Sequence, residues 1–392
     1  MPYKNSHHRG FALDYWVILA LAILVVIGIT MSFSVGFYKA VDQGVDPWKA
    51  LVITRNYVIR LIPGFLLFLA AILFPVRWYR RVALPFLILI VVLLIAVVLR
   101  GQVSHGASRW LGIGPLRFQP SEFAKLALVW FIAWYASARG QWFHLFGRGL
   151  LPVLIGVGLL IGLVVLQPDV STAGLLGVVA LGMLFLAGVP LRHFFALGAA
   201  GLALTLLVAG SLRFLPPQMA GKITGKFQYV GKRVHLFLHP EDHTNLQYVS
   251  LGLSEGGILG TGIGRGKIKF AHLTEPDTDF VYAVIGEEMG LLGMWIVLGL
   301  YLLLGWRAFS VAQRLQARHK DPMFYLTAAG IGLILLVFPL AHMGVVLGVL
   351  PPTGQPLPFI SRGGSNLWLH MVLLGFLLRL HHLAQTGWEV LR

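Results

Sequence analysis

Ten apolar runs dominate this chain, near residues 14–36, 52–74, 82–100, 121–138, 149–166, 170–189, 192–210, 279–306, 323–349 and 361–380. A helix crossing the hydrocarbon core of a bilayer takes about 20 consecutive apolar residues. Inside that core every backbone N–H and C=O has to be bonded within the protein. The runs therefore predict an all-α polytopic membrane protein with about ten transmembrane helices. Composition agrees, since 57% of the 392 residues are hydrophobic and only 12% charged, which excludes an ordinary soluble domain. No segment outside the membrane is long or apolar enough to bury its own core, so residues 1–392 read as a single membrane domain. Its long polar loop, 211–278, lies between the seventh and eighth helices. The first run is too long for a signal-peptide core and lacks a small-residue cleavage pattern, so it is expected to remain a transmembrane helix. There is no cysteine, and hence no disulfide framework, thiolate metal site or thiol nucleophile.

An even number of helices puts both termini on one side. The short basic connections 77–81 and 307–320 assign that side to the cytoplasm by the positive-inside rule, which leaves 211–278 external. The external segments are basic as well, through Arg100, Arg109, Arg117, Lys222, Lys226, Lys232, Arg233, Arg265, Lys267, Lys269 and Arg362. Topology does not require these. A formal net charge of +16 suits nucleic acid or cytoplasmic anionic lipid, but cations on the outer side serve neither, so no nucleic-acid partner is expected. An anionic lipid-linked substrate at the outer leaflet fits them better, because Lys and Arg recognise phosphate. Taken singly, each cation also suits a headgroup anchor.

The long loop ends in Glu275, Pro276, Asp277, Thr278 and Asp279, three carboxylates in five residues at a membrane boundary. Ionisable groups at such depth are costly and mark functional sites. Asp279 is the first candidate, positioned to act as a general base, with Lys267 and Lys269 close enough in sequence to hold a phosphate. If the eighth helix begins this early, Glu275 and Asp279 share a face and Glu287 lies two turns deeper near it, with Glu288 pointing elsewhere. Glu287 and Glu288 equally read as interior polar residues bonding neighbouring helices.

Three further stretches carry chemistry. In 106–128, Pro120 and Ser121 read as a helix start, so Glu122 and Lys125 share a face just inside the boundary. Either they neutralise each other, or both line a polar cavity with Asp279. Asp169, after Gln167 and Pro168, reads as the N-cap of the next helix. The prolines and glycines of 344–366 break a helix at membrane depth, which is tolerated only where the backbone lines protein or a cavity. Residues 246–259 suggest an amphipathic or re-entrant piece followed by glycine turns at 256, 257, 260, 262, 264 and 266. These glycines lack the strand–turn–helix setting of a nucleotide site.

The ordered blocks LDYWVILALAILVVIG, RWLGIGPLRFQPSEFAKLAL, QPDVSTA, EGGILGTGIG, EPDTDFVYAVIGEEMGLLG and GVVLGVLPPTGQPLPFISRGGS together resemble the SEDS family of bacterial membrane glycosyltransferases, whose branches include FtsW, RodA and SpoVE. Lys269 and the PFIS ending favour the FtsW branch. The resemblance implies an inverting glycosyltransferase of the bacterial cytoplasmic (inner) membrane that polymerises lipid II at the outer face in cell division or septal wall synthesis. The growing glycan stays linked to undecaprenyl pyrophosphate, and a class b penicillin-binding protein and divisome or elongasome proteins are the implied partners. Asp279 takes the place of the family's essential aspartate, and Arg109, Trp110, Glu122, Lys125 and Lys269 fall on its other motif positions. Lys267, Glu275, Thr278 and Arg362 join them as candidate substrate contacts.

Departures from the family are Thr274 for Pro, Asp277 for His, His342 for Asn, Arg362 for Tyr and Asn366 for Ser. Arg362 either binds donor pyrophosphate or pairs with Asp277. A divalent cation, Mg or Mn, at the pyrophosphate is left open, since no His/Asp cluster has ligand spacing. The competing readings are a RodA-type elongation polymerase and a flippase for a lipid-linked precursor, the latter needing charge through the midplane.

Overall fold

A computed structural model of the chain describes residues 11–42, 48, 50–100, 102–104, 107–111, 118–211, 231, 235, 237–239, 244–267 and 277–386. Its helices are α1 (Tyr15–Asp42), α2 (Ala50–Leu73), α3 (Tyr79–Arg100), α4 (Pro120–Arg139), α5 (Leu151–Leu166), α6 (Val170–Leu186), α7 (Leu191–Ser211), α8 (Thr244–Gly256), α9 (Val281–His319), α10 (Pro322–Val346) and α11 (Gly364–Thr386). All ten expected long helices are present, and α8 is a helix where an amphipathic or re-entrant piece was expected within the long loop. Seven spans among the described residues are long and apolar enough to cross a membrane, and α6 is shorter at 17 residues.

Local chemistry sets the helix ends. Pro120 opens α4, with Glu122 in the first turn and Arg139 in the last, each at the end where the helix dipole favours its charge. Asp169 caps α6 by accepting from Thr172 N at 3.4 Å, as its position predicted. Asp321 caps α10 in the same way, accepting from Met323 N at 3.0 Å.

Two features depart from expectation. The basic segment 307–320 is not a loop, because α9 continues to His319 and only Lys320 and Asp321 connect it to α10. Its Arg, Gln and Ala residues are good helix formers, and a boundary helix keeps its own backbone bonded at no cost in apolarity. The second departure is a short antiparallel ladder, β1 (Gln102–Ser104) with β2 (Ala107–Trp110), followed by a bridge between Leu111 and Phe118. Strands of three and four residues are too short to show a period of two.

Buried residues make up 89% of the α11 span but 22% of the α2 span, so α11 is the axis of the bundle and α2 faces lipid on most sides. Polar side chains gather on that axis. Asn366, His370, His381 and His382 of α11 are all buried.

Helix α9 is broken at Gly290, where φ is 67° and ψ −169°. The break is filled by the glycine-rich turn after α8. Thr261 N and Gly262 N donate to the Glu287 and Glu288 carbonyls at 2.9 and 3.1 Å, and Leu291 N and Leu292 N donate to the Gly257 and Ile258 carbonyls at 2.9 and 3.1 Å. Four groups that the break would leave unbonded in a dry environment are thus satisfied reciprocally. The approach is close enough that a Cβ on Gly290 would overlap the Gly260 amide and the Ile258 carbonyl.

Gly290→Ala is expected to destabilise the protein by about 2–5 kcal/mol, from a strained positive φ plus overpacking. Gly299→Ala, in the same helix with open space around its Cβ, is expected to be neutral or stabilising by about 1 kcal/mol. Thermal unfolding of the two purified variants in detergent checks this, and equal Tm shifts would remove the close packing at Gly290 as the reason for its glycine.

Candidate functional site

Asp277, Thr278 and Asp279 form a turn ahead of α9, whose first residue is Val281. Asp279 therefore stands at the mouth of the helix and not on it, which corrects the shared face expected for Glu275, Asp279 and Glu287. Phe280 is the N-cap residue, with φ −123° and ψ 18°, and helical geometry begins only after it. Asp279 and Thr278 are half-buried, and Asp277 is buried. Glu275 and Lys269 lie outside the described residues, as does the side chain of Arg109. Trp110 is half-buried at the end of β2.

The turn is tied to the loop ahead of α11. Ser361 Oγ donates to the Thr278 carbonyl at 2.8 Å and accepts from Leu357 N at 2.8 Å. Arg362 N donates to the Asp277 carbonyl at 3.1 Å, and its guanidinium meets Asp277 Oδ2 at 2.9 Å. Of the two readings of Arg362, pairing with Asp277 is the one the geometry realises. The two unusual charges are a matched pair, with the carboxylate side chain 2% and the guanidinium 32% exposed. The same loop is held from below by hydroxyls of two neighbouring helices, Tyr57 donating to the Phe359 carbonyl and Tyr301 to the Pro358 carbonyl.

Four residues beyond Arg362, Asn366 begins a second, sealed cluster. Lys125 Nζ bonds Glu122 Oε2 at 2.9 Å, and Asn366 Nδ2 donates to the same oxygen at 2.9 Å. Lys125 also lies 3.9 Å from the centre of the Phe338 ring, a cation–π contact. His370 Nδ1 sits 2.8 Å from the Asn366 carbonyl. Lys125 is 0% exposed and Glu122 2%, so in this conformation the pair is neutralised inside the protein and presents no surface to a ligand. Gln119 N, just before α4, donates to Ser365 Oγ at 3.0 Å, so α4 and α11 begin side by side at the end of the bundle that holds the Asp279 turn.

The remaining candidates are more peripheral. Lys267 makes an exposed pair with Glu255 at 3.4 Å, and its backbone N–H donates to the Glu287 carboxylate. Glu287 and Glu288 are both buried, and Ser34 Oγ of α1 lies 2.7 Å from each Glu288 oxygen, in line with the interior bonding role. His342 Nδ1 lies 2.6 Å from the Gln355 carbonyl, whose side chain donates to Thr172 Oγ1 at 2.7 Å. Sequence reasoning missed Tyr57, Arg60, Ser361 and Tyr301. Only Arg60 carried a signal, as a charge within an apolar run.

Fold and site together define a polytopic helical membrane protein with a carboxylate turn and a broken-helix loop strapped together at one end. The FtsW/RodA/SpoVE family, described as cell cycle proteins, matches residues 15–386, and the chain belongs to that family. It is 32% identical to a probable peptidoglycan glycosyltransferase FtsW of Trichlorobacter lovleyi over 94% of this chain and 92% of that one. A protein of the same description from Geobacter metallireducens is 33% identical over 93% of each. Among solved structures, a chain from a peptidoglycan synthase complex that coordinates polymerization and crosslinking aligns with TM-score 0.73 and 26% identity, covering 96% of this chain and 100% of that one. The rod shape determining protein RodA of Thermus thermophilus aligns with TM-score 0.67 and 25% identity, covering 96% and 99%.

Two stability predictions follow from the pairs. Lys125→Met leaves a buried carboxylate unpaired and should cost about 3–5 kcal/mol, whereas Lys125→Met with Glu122→Gln should recover most of it. Arg362→Tyr should cost about 1–3 kcal/mol, less because the guanidinium is partly exposed, and adding Asp277→His should restore the loss. Double-mutant cycles on unfolding midpoints measure both couplings, and additive single effects would mean that the pairs contribute nothing.

Proposed function

We propose that this chain polymerises lipid-linked disaccharide-peptide units, lipid II, into glycan strands at the outer face of the bacterial cytoplasmic membrane, with Asp279 as general base. The observation that carries the reading is a carboxylate at the mouth of a membrane helix, with a loop strapped to the two residues before it, in a chain alike over nearly its whole length to named peptidoglycan glycosyltransferases. The division role, acting with a class b penicillin-binding protein and divisome proteins, is supported by the FtsW naming of those relatives. It is supported also by the likeness to a chain of a synthase complex.

A sugar hydroxyl is a weak nucleophile at neutral pH. Asp279, within reach of the acceptor sugar, would take its proton as the oxygen attacks the anomeric carbon of the donor. One displacement inverts that carbon and expels the lipid pyrophosphate. The negative charge that gathers on the leaving group would meet Lys267 and the exposed part of Arg362, and by motif position alone Arg109 and Lys269 join them in this proposal. Lys125 is sealed, so its charge would act through the protein and not by contact. Asp277 gives its carboxylate to Arg362, and among the described residues no three His, Cys, Asp or Glu side chains gather to hold a metal. A divalent cation bridging pyrophosphate oxygens needs only one or two carboxylates from the protein, and Asp279 is the residue of the turn that would supply one.

Asp279→Asn keeps the size and loses the base, so polymer from purified protein, lipid II and the cognate transpeptidase should fall by about 10²-fold or more. Lipid II binding and the melting temperature should hold. Polymer at near the parental rate would take the base role from Asp279.

A further inference from the structure

Arg60 lies inside an apolar span of α2, where a charge is costly and implies a task. Its guanidinium donates to the Arg362 carbonyl at 2.6 Å. Its own carbonyl accepts from Trp368 Nε1 of α11 at 2.9 Å, so the residue is fixed at both ends. Arg60 and Arg362 repel each other, and Asp277 lies within electrostatic reach of both and offsets that repulsion. One turn earlier on α2, Tyr57 holds the Phe359 carbonyl. The contacts run without interruption from α2 through Arg60 to Arg362, from both the amide and the guanidinium of Arg362 to Asp277, and two residues further to Asp279.

We infer that Arg60 is a positioning residue, the anchored end of a strut built from Arg60, Arg362 and Asp277 that sets the place of the Asp279 turn against α2 and α11. Arg60 supplies what the charge pair of Arg362 and Asp277 lacks, a fixed point outside the loop. Packing alone does not call for it. An apolar side chain would fill this place on a largely lipid-facing helix without holding a charge there. What an apolar residue cannot do is hold a loop carbonyl in one place, and catalytic geometry is sensitive to displacements of about 1 Å. The strut itself is a property of the fold, and only its kinetic consequence rests on the glycosyltransferase reading.

The test compares the full chain in nanodiscs with Arg60→Met, Arg60→Lys, Asp277→Asn and the Arg60→Met, Asp277→Asn double variant. Amide exchange across 277–280 should quicken about fivefold in Arg60→Met and in Asp277→Asn, with the double variant no faster than the faster single one, because both act through Arg362. The rest of the protein should exchange as before. In lipid II polymerisation, kcat should fall about tenfold in Arg60→Met with KM within about twofold, and Arg60→Lys should recover part of the loss. Unchanged exchange at 277–280, additive effects in the double variant, or a rise spread over the whole bundle with a lowered melting temperature would each overturn the strut. Should the parent protein make no polymer, the glycosyltransferase reading falls while the exchange measurements still decide on the strut.

Discussion

Irregular backbone survives at membrane depth only where protein groups stand in for water. In this chain that constraint falls hardest on the loop 357–363. Phe359 is fully buried at φ 64°, a conformation that costs a bulky residue about 1–3 kcal/mol and persists only when its surroundings enforce it. Four side chains do so. Tyr57 and Tyr301 take the Phe359 and Pro358 carbonyls, Ser361 bridges Leu357 N and the Thr278 carbonyl, and Arg60 takes the Arg362 carbonyl. With its polar groups satisfied from α2, α9 and the loop itself, this segment becomes rigid enough to carry two further elements, the Asp279 turn on one side and the start of α11 on the other.

The two charge pairs beside that loop differ in solvation, and their tasks differ with it. Glu122 and Lys125 are sealed, and their mutual bond is completed by Asn366 and the Phe338 ring, so little remains for a ligand to gain there. The pair lies wholly on α4, and the Asn366 bond to Glu122 is what ties it to α11. Asp277 and Arg362 are asymmetric, with a buried carboxylate and a guanidinium about one-third exposed. One face of Arg362 is committed to holding the turn while another remains exposed.

Much of this was legible in the sequence because membrane insertion depends on local composition. Ten long helices, the short helix α8 within the long loop, the Asp169 cap and the Glu122–Lys125 spacing all follow from patterns within a few residues. Arg362 pairing with Asp277 was legible as one of two alternatives, since both charges were unusual in the same motif context. What escaped depends on tertiary placement. Tyr57 and Tyr301 look like ordinary aromatics in apolar runs until the loop carbonyls arrive beside them, and Arg60 is a charge within an apolar run whose partner shows only when α2 is laid against α11. The start of α9 was placed two residues early because a carboxylate just ahead of an apolar run carries no mark of where helical geometry begins. Its continuation past residue 306 was missed because hydropathy reports the end of the membrane and not the end of the helix.

The distribution of polar groups along the bundle axis also separates the competing functions. At the Asp279 end, α11 contributes Asn366 and His370 to the sealed cluster. At the opposite end, Asp14 of the α1 approach pairs with Arg307 at 2.7 Å and lies 3.4 Å from His381. Between them, residues 371–378 of α11 are Met, Val, Leu, Leu, Gly, Phe, Leu and Leu, all buried. Eight helical residues span roughly 12 Å. Phe376 there stacks among Phe74, Tyr79 and Trp130 with ring centres 5.0 to 6.0 Å away. A carrier moving an anionic headgroup across the membrane needs polar groups through this depth. Along this axis the depth is filled by a close-packed aromatic and aliphatic plug. Polar clusters at the two ends of α11, with an apolar floor between them, are how these residues are disposed.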